Sequence, residues 1–102
     1  MKQSKQEIVV GIDVSKSRLD VAVTGEFWST PNDIDGIGKL IDRLKLLVPS
    51  LVVVESTGGL ERGVLAELSS AGMPIALVNP RRMREFAKSI RLLGKTDKLH
   101  AA

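Results

Sequence analysis

The stretch EIVVGIDVSKSRLDVAV, residues 7–23, decides the fold. Its two halves, residues 7–14 and 18–24, are rich in Val and Ile, which is typical of β-strands. Only three residues, 15–17, separate the halves, so the strands are predicted to pair as an antiparallel hairpin. The first strand is almost entirely apolar until Asp13, and an unpaired carboxylate inside a core is costly. Its position therefore needs an explanation.

The rest of the chain alternates between strand and helix patterns. The apolar spacing predicts strands over residues 26–30, 51–54 and 74–78, and helices over residues 33–48, 60–71 and from Pro80 onward. The runs 51–54 and 74–78 are continuously apolar, which is typical of strands buried on both faces. Leu60 is assigned to the apolar face of its helix. Thr96 is predicted to cap the start of one more helix.

The predicted element order is β-β-β-α-β-α-β-α. Three antiparallel strands lead into strand–helix units, and such units form right-handed parallel crossovers. This order predicts an α/β domain with a ribonuclease H-like (RuvC-like) mixed sheet and helices on both faces. The chain has 102 residues, which suits one domain.

The composition narrows the class of protein. Hydrophobic residues make up 43% of the chain, which is enough for a packed core. The sequence has no cysteine, which excludes disulfides, zinc–thiolate sites and cysteine nucleophiles. The polar start MKQSKQE is followed by an apolar run too short for a signal or membrane-spanning helix. We therefore expect a cytoplasmic protein with no membrane partner.

Basic residues are concentrated in one segment. Residues 81–98 carry seven Lys or Arg and two acids, a net charge of +5 in a chain whose total is +3. Such a segment suits a polyanionic partner, although a solvated helix face would have the same composition. The basic residues of this segment are Arg81, Arg82, Arg84, Lys88, Arg91, Lys95 and Lys98, and Lys16 lies in the hairpin turn.

Three acids occupy comparable places in the predicted fold. Asp13 lies at the end of the first strand, Glu55 directly follows LVVV, and Asp97 begins the last predicted helix. Ligands of open α/β sheets gather at the carboxyl ends of strands, and Mg²⁺ prefers carboxylate oxygens. If the first and fourth strands are neighbours, Asp13 and Glu55 meet and can share a cation. The alternative is that both acids cap loops through backbone hydrogen bonds.

The segments GIDVSKSRLDVAV, VVVESTGG and NPRRMREFAKSIRLLGKTDK occur in an order and at separations that resemble a known family. The chain resembles the N-terminal domain of the DEDD transposases of bacterial insertion sequences, the group that includes the Piv DNA invertase. The resemblance extends over essentially the whole chain.

The resemblance implies a RuvC-like catalytic domain in which four acids bind Mg²⁺ or Mn²⁺. Asp13, Glu55 and Asp97 carry over as catalytic and metal-binding residues from GIDVSK, ESTG and KTDK. The fourth acid of the family stands three residues after the third, where this chain has His100. His100 can also ligate a metal, but histidine suits softer metals than Mg²⁺ and removes a negative charge, so the site departs from the family pattern here.

The resemblance also implies partners and a larger protein, and with nucleic-acid partners the basic residues of segment 81–98 and Lys16 are the predicted nucleic-acid-binding residues. Family members add a second domain that supplies an essential serine, use a structured guide RNA, act on element ends and target DNA, and assemble as homo-oligomers. We therefore expect residues 1–102 to be the N-terminal domain of a DNA transposition and recombination enzyme, and this piece alone to be inactive.

Three alternative functions remain open from the sequence. A non-catalytic nucleic-acid-binding or dimerising remnant of a transposase fits the replacement by His100. A Holliday-junction resolvase shares the fold and chemistry. An actin-like ATP-dependent kinase shares the strand order, although such kinases have Gly-Thr where this chain has Ser15-Lys16.

Overall fold

The computed structural model describes residues 7–86 and residue 88. The elements are β1 (Val9–Val14), β2 (Arg18–Val23), β3 (Glu26–Pro31), α1 (Ile34–Leu47), β4 (Leu51–Glu55), α2 (Arg62–Ser70) and β5 (Ile75–Val78), followed by a helix, α3, over residues 80–86. The predicted helix from Thr96 lies outside the described residues.

The five strands form one mixed sheet in the order β3-β2-β1-β4-β5. Strand β2 pairs antiparallel with both β1 and β3, whereas β4 pairs parallel with β1 and with β5. Helices α1 and α2 make the two crossover connections between parallel strands. The predicted hairpin and the predicted ribonuclease H-like arrangement are therefore confirmed.

One face of the sheet packs against α1 and α2. Because side chains alternate along a strand, every second residue of β1 points to this face. The buried cluster joins alternate residues of the inner strands with one apolar stripe from each helix. Its fully inaccessible members include Val10, Ile12, Leu44, Val64 and Leu68. Burying such aliphatic side chains is the main source of stability for the domain.

The opposite face of the sheet carries Gly11, Asp13 and α3. A Cβ atom on Gly11 would lie 2.9 Å from Met83 Cε and 3.0 Å from the Phe86 ring, so a glycine here lets α3 lie close to β1. Met83 is fully buried in this contact. Helices therefore cover both faces, as the sequence predicted.

Capping residues set the helix ends. The Asp33 carboxylate accepts the Gly36 N–H at 2.7 Å at the start of α1, and the Asn79 side chain accepts the Arg82 N–H at 2.8 Å at the start of α3. The predicted asparagine cap of α3 is confirmed. Helix α1 ends at Leu47, one residue earlier than predicted, because Val48 adopts a left-handed conformation with φ 50°.

Two predictions of burial were wrong. Strand β5 is only partly covered, and Leu77 is 50% exposed, because β5 lies at the edge of the sheet. Leu60 does not belong to the buried face of α2. The helix begins at Arg62, after a turn in which Gly58 and Gly59 have positive φ, and Leu60 is 43% exposed.

The structure predicts opposite effects for two alanine substitutions in α1. A Cβ atom on Gly36 would overlap the main-chain carbonyl oxygen of Pro31, whereas one on Gly38 would have open space. We expect Gly38→Ala to stabilise the protein by about 1 kcal/mol through helix propensity. We expect Gly36→Ala to destabilise it by roughly 1–3 kcal/mol despite the same propensity gain. Urea unfolding of both variants measures the difference, and stabilisation by Gly36→Ala would contradict the packing.

Candidate active site

Two acids meet at the carboxyl ends of the two central strands. The last residue pair of the β1–β4 ladder is Ile12 with Val54, and Asp13 and Glu55 directly follow it. By strand alternation both acids point to the sheet face that carries α3. Glu55 is only 6% exposed, whereas Asp13 is partly exposed. The pairing of β1 with β4 therefore brings together the two acids that the sequence singled out.

The acid pair is held by hydrogen bonds. Glu55 Oε1 accepts the main-chain N–H of Val14 at 2.7 Å, and the Glu55 carboxyl also hydrogen-bonds the Asp13 side chain. Burial, the hydrogen bond with Asp13 and the charge of Asp13 raise the pKa of Glu55 from 4.5 to about 6. The Val14 N–H and the Arg84 guanidinium act in the opposite direction on this pKa. The neighbouring carboxyl group of Asp13 thus makes ionisation of Glu55 less favourable.

The chemistry of this pair suits a hard divalent cation. Carboxylates at close range repel each other unless a proton or cation lies between them, and the raised pKa of Glu55 reflects that repulsion together with burial. Oxygen ligands of this kind suit Mg²⁺ and Mn²⁺. Within residues 7–86 and 88, no three or more His, Cys, Asp or Glu side chains lie close enough together to hold a metal ion. The other proposed ligands, Asp97 and His100, lie outside the described residues.

A third acid on this face has different partners. Asp20 stands opposite Asp13 in the β1–β2 pairing. Its carboxylate accepts the Ser29 hydroxyl at 2.5 Å and lies 3.2 Å from Arg18 Nε. Because the carboxylate of Asp20 is hydrogen-bonded to Ser29 and paired with Arg18, we assign it a structural role in the sheet and do not include it in the acid pair.

Basic side chains lie beside the acid pair. The described members of the basic segment, Arg81, Arg82, Arg84 and Lys88, are exposed on α3 or just after it, and Arg84 is close enough to lower the pKa of Glu55. Lys16 is exposed in the β1–β2 turn. The remaining predicted nucleic-acid-binding residues, Arg91, Lys95 and Lys98, lie outside the described residues.

Sequence analysis missed Glu61, which organises the loop after Glu55. One oxygen of Glu61 accepts the Thr57 N–H at 3.0 Å, the Thr57 hydroxyl at 2.9 Å and the Gly59 N–H at 3.1 Å. These donors, together with the main-chain N–H of Glu61, lower its pKa to about 2 despite burial. The signal in the sequence is weak, because a capping box places the acid three residues after Thr57, not four.

Sequence analysis also missed Asn32, which directly follows β3 and joins two loops through its side chain. Its side-chain amide donates to the Ser15 carbonyl at 2.8 Å and to the Leu60 carbonyl at 3.2 Å. These partners lie in the two connections that follow the acids. No local sequence pattern indicates the contact with Leu60, which lies 28 residues away.

The model for the IS110-type DEDD transposase family, described as Transposase, matches residues 10–102. This chain belongs to the IS110-type DEDD transposase family. A search of the curated proteins found no match.

The transposase-family chain is also similar to a solved structure, that of RuvC from T. thermophilus in complex with a Holliday junction substrate. The TM-score is 0.54 and the sequence identity 18%, and the match covers 74% of this chain and 66% of the RuvC chain. This likeness shows the RuvC-like fold, which the sequence predicted. Within the residues that the structure describes, no helix is long and apolar enough to cross a membrane.

In the metal-free protein, ionisation of Glu55 next to Asp13 lowers the free energy of unfolding. Between pH 4.5 and about 6 the unfolded state loses the Glu55 proton while the folded state keeps it, so stability falls through this window. We expect metal-free Glu55→Gln, which keeps an acceptor for Val14 and gains a donor to Asp13, to be more stable at pH 7.5 by at most about 2 kcal/mol.

Urea unfolding in EDTA at pH 7.5 and pH 4 measures this effect. At pH 4 Glu55 is protonated in both states and the advantage should disappear. The control is Glu67→Gln, which removes an exposed carboxylate from α2. An equal gain at both pH values would contradict the assignment of the effect to ionisation of Glu55.

The pKa of Glu61 leads to the opposite pH dependence. Because this pKa is lower in the folded protein, the ionised Glu61 stabilises the fold above pH 4.5, and this contribution is lost as the pH falls toward 2. We expect Glu61→Gln to be less stable than the wild type at pH 7, with a difference that shrinks between pH 4.5 and 2.5. Urea unfolding at several pH values measures it, again with Glu67→Gln as the control. A constant difference would show that the charge of Glu61 contributes nothing.

Proposed function

We propose that this chain is the catalytic domain of a DEDD transposase, which cleaves and transfers DNA strands with the help of a divalent cation during DNA transposition and recombination. The observation that carries the proposal is the meeting of Asp13 and Glu55 at the ends of the paired strands β1 and β4. Membership of the transposase family supplies the reaction class.

Asp13 and Glu55 would hold the cation, with Asp97 as a further ligand and His100 in the place of the fourth acid. Magnesium or manganese fits the carboxylate oxygens of the three acids best. The chemistry that such a cation supplies is activation of a nucleophile and stabilisation of charge on the phosphate and leaving oxygen. Because the pKa of Glu55 is about 6, its carboxyl is mostly ionised at neutral pH and available as a ligand. The Val14 N–H fixes one of its oxygens.

The basic side chains near the acid pair would hold the nucleic acid. Arg81, Arg82, Arg84 and Lys88 are exposed on the side of the sheet that carries the two acids, which suits contacts with phosphates. Such contacts position a backbone without reading its sequence. DNA is the expected substrate, and RuvC, whose fold this chain shares, was solved with a DNA junction.

Three finer points rest on the family resemblance. A structured guide RNA would be a second nucleic-acid partner, Lys16 would contact a phosphate near the cation, and the active enzyme would be a homo-oligomer. Cleavage of branched DNA by the enzyme without any guide RNA would favour a Holliday-junction resolvase instead.

The test is cation binding by the acid pair. We expect calorimetric titration with Mn²⁺ to show binding that Asp13→Asn weakens at least about tenfold. The matched control is Asp42→Asn, which removes the same charge from an exposed position on α1. Excision by a full-length family member should likewise be abolished when the aspartate equivalent to Asp13 becomes asparagine. Unchanged Mn²⁺ affinity in Asp13→Asn, or normal excision, would contradict the proposal.

A further inference from the structure

The sheet does not by itself fix the distance between the two acids. The β1–β4 ladder stops at Ile12 and Val54, one residue before the acids. Beyond that point each strand is tied to its other neighbour. Strand β1 continues its pairing with β2 as far as Val14, and the residue after β4, Ser56, donates its N–H to the Val78 carbonyl of β5 at 2.6 Å. The two sides of the site are thus free to separate unless other contacts join them.

Apart from the contact between the two acid side chains themselves, two hydrogen-bonded links among the described residues cross this gap. The first is the hydrogen bond from the Val14 N–H to Glu55 Oε1, which belongs to the acid pair itself. The second is made by Asn32, which directly follows β3. Its Nδ2 atom donates to the Ser15 carbonyl in the β1–β2 turn at 2.8 Å and to the Leu60 carbonyl in the β4–α2 loop at 3.2 Å.

The chemistry of these contacts requires a primary amide. Both partners of Asn32 Nδ2 are carbonyl oxygens, which only accept, so one side-chain atom must donate two hydrogen bonds. Aspartate has the same shape but no hydrogen to donate when ionised, and serine has one. The main-chain N–H of Asn32 also donates to the Ser17 carbonyl at 3.0 Å, which fixes the residue against the turn.

The two connections that Asn32 joins are each internally braced. In the β1–β2 turn, the Ser15 N–H and hydroxyl both donate to the Arg18 carbonyl at 2.9 Å. In the β4–α2 loop, the Glu61 carboxylate accepts from Thr57 and Gly59. Because neither connection bends easily, a displacement of one relative to the other moves the strand end that carries its acid.

We propose that Asn32 is a positioning residue for the acid pair, because its side-chain amide holds the two connections after Asp13 and Glu55 at a fixed separation. This inference rests on the proposed function only for its consequence that the separation suits a divalent cation. Asn32 touches neither acid in the structure and acts through the two loops.

The Val14 amide proton reports on this geometry without any metal, because its acceptor is Glu55. We expect Asn32→Ala to increase the hydrogen-exchange rate of the Val14 amide at least tenfold more than that of Val53, which lies inside the β4 ladder. A purely structural role of Asn32 would lower global stability and increase both rates equally. That outcome, or an unchanged Val14 rate, would overturn the proposal.

The matched control is Ser50→Ala. This variant also removes a side-chain hydrogen bond to a carbonyl, from Ser50 Oγ to Ile8 at 3.1 Å, but at the opposite end of the sheet. We expect no selective change at Val14 in this control. If Asn32→Ala does not fold, Asn32→Ser retains one donor and is measured in the same way, with a smaller selective increase expected at Val14.

Mn²⁺ affinity provides the functional readout. We expect Asn32→Ala to bind Mn²⁺ roughly tenfold more weakly than the wild type, while Ser50→Ala binds normally. Equal affinity of the wild type and Asn32→Ala would overturn the positioning role. If the wild type binds no Mn²⁺, the metal site of the proposed function fails, and the exchange rate of Val14 alone then decides whether Asn32 positions the acids.

Discussion

The parallel pairing of β1 with β4 places two carboxyl groups side by side where the ladder ends, and the rest of the site is arranged around that contact. Burial and the proximity of Asp13 oppose ionisation of Glu55, which raises its pKa to about 6. The fold tolerates this cost because the Val14 N–H compensates one oxygen and Arg84 lies nearby. A strained arrangement of acids that a cation would relieve is typical of metal-dependent phosphoryl-transfer sites.

The two faces of the sheet carry different parts of the structure. One face is covered by α1 and α2 and holds the aliphatic core, which includes Ile12 and Leu44. The other face carries the acid pair and α3, whose close approach depends on the missing side chain of Gly11. Because neighbouring residues of β1 point to opposite faces, one strand carries both a core residue, Ile12, and a candidate site residue, Asp13.

The loops that follow β1 and β4 are joined and braced by hydrogen bonds beside the acid pair. Glu61 and Asn32 hold the two connections through hydrogen bonds to main-chain groups. The partners of Asn32 are the carbonyls of Ser15 and Leu60, and those of Glu61 include the N–H groups of Thr57 and Gly59. The hydrogen bonds of Asn32 span the gap that the β1–β4 ladder leaves open.

The strand and helix pattern, the hairpin of residues 7–24 and the positions of Asp13 and Glu55 at strand ends were determined by the sequence alone. These features arise from local periodicity, from the short three-residue connection between two strands, and from a carboxylate that interrupts or ends an apolar run. Motif spacing also indicated the family, which the match over residues 10–102 established.

Only the tertiary structure decided which strands are neighbours at each position, and therefore what surrounds each acid. The exposure of Leu77 follows from the edge position of β5, and the exposure of Leu60 follows from two glycines with positive φ. The contact of Asn32 with Leu60 joins residues 28 positions apart. Such contacts depend on how separate elements pack, and a local pattern of side chains carries no information about that packing.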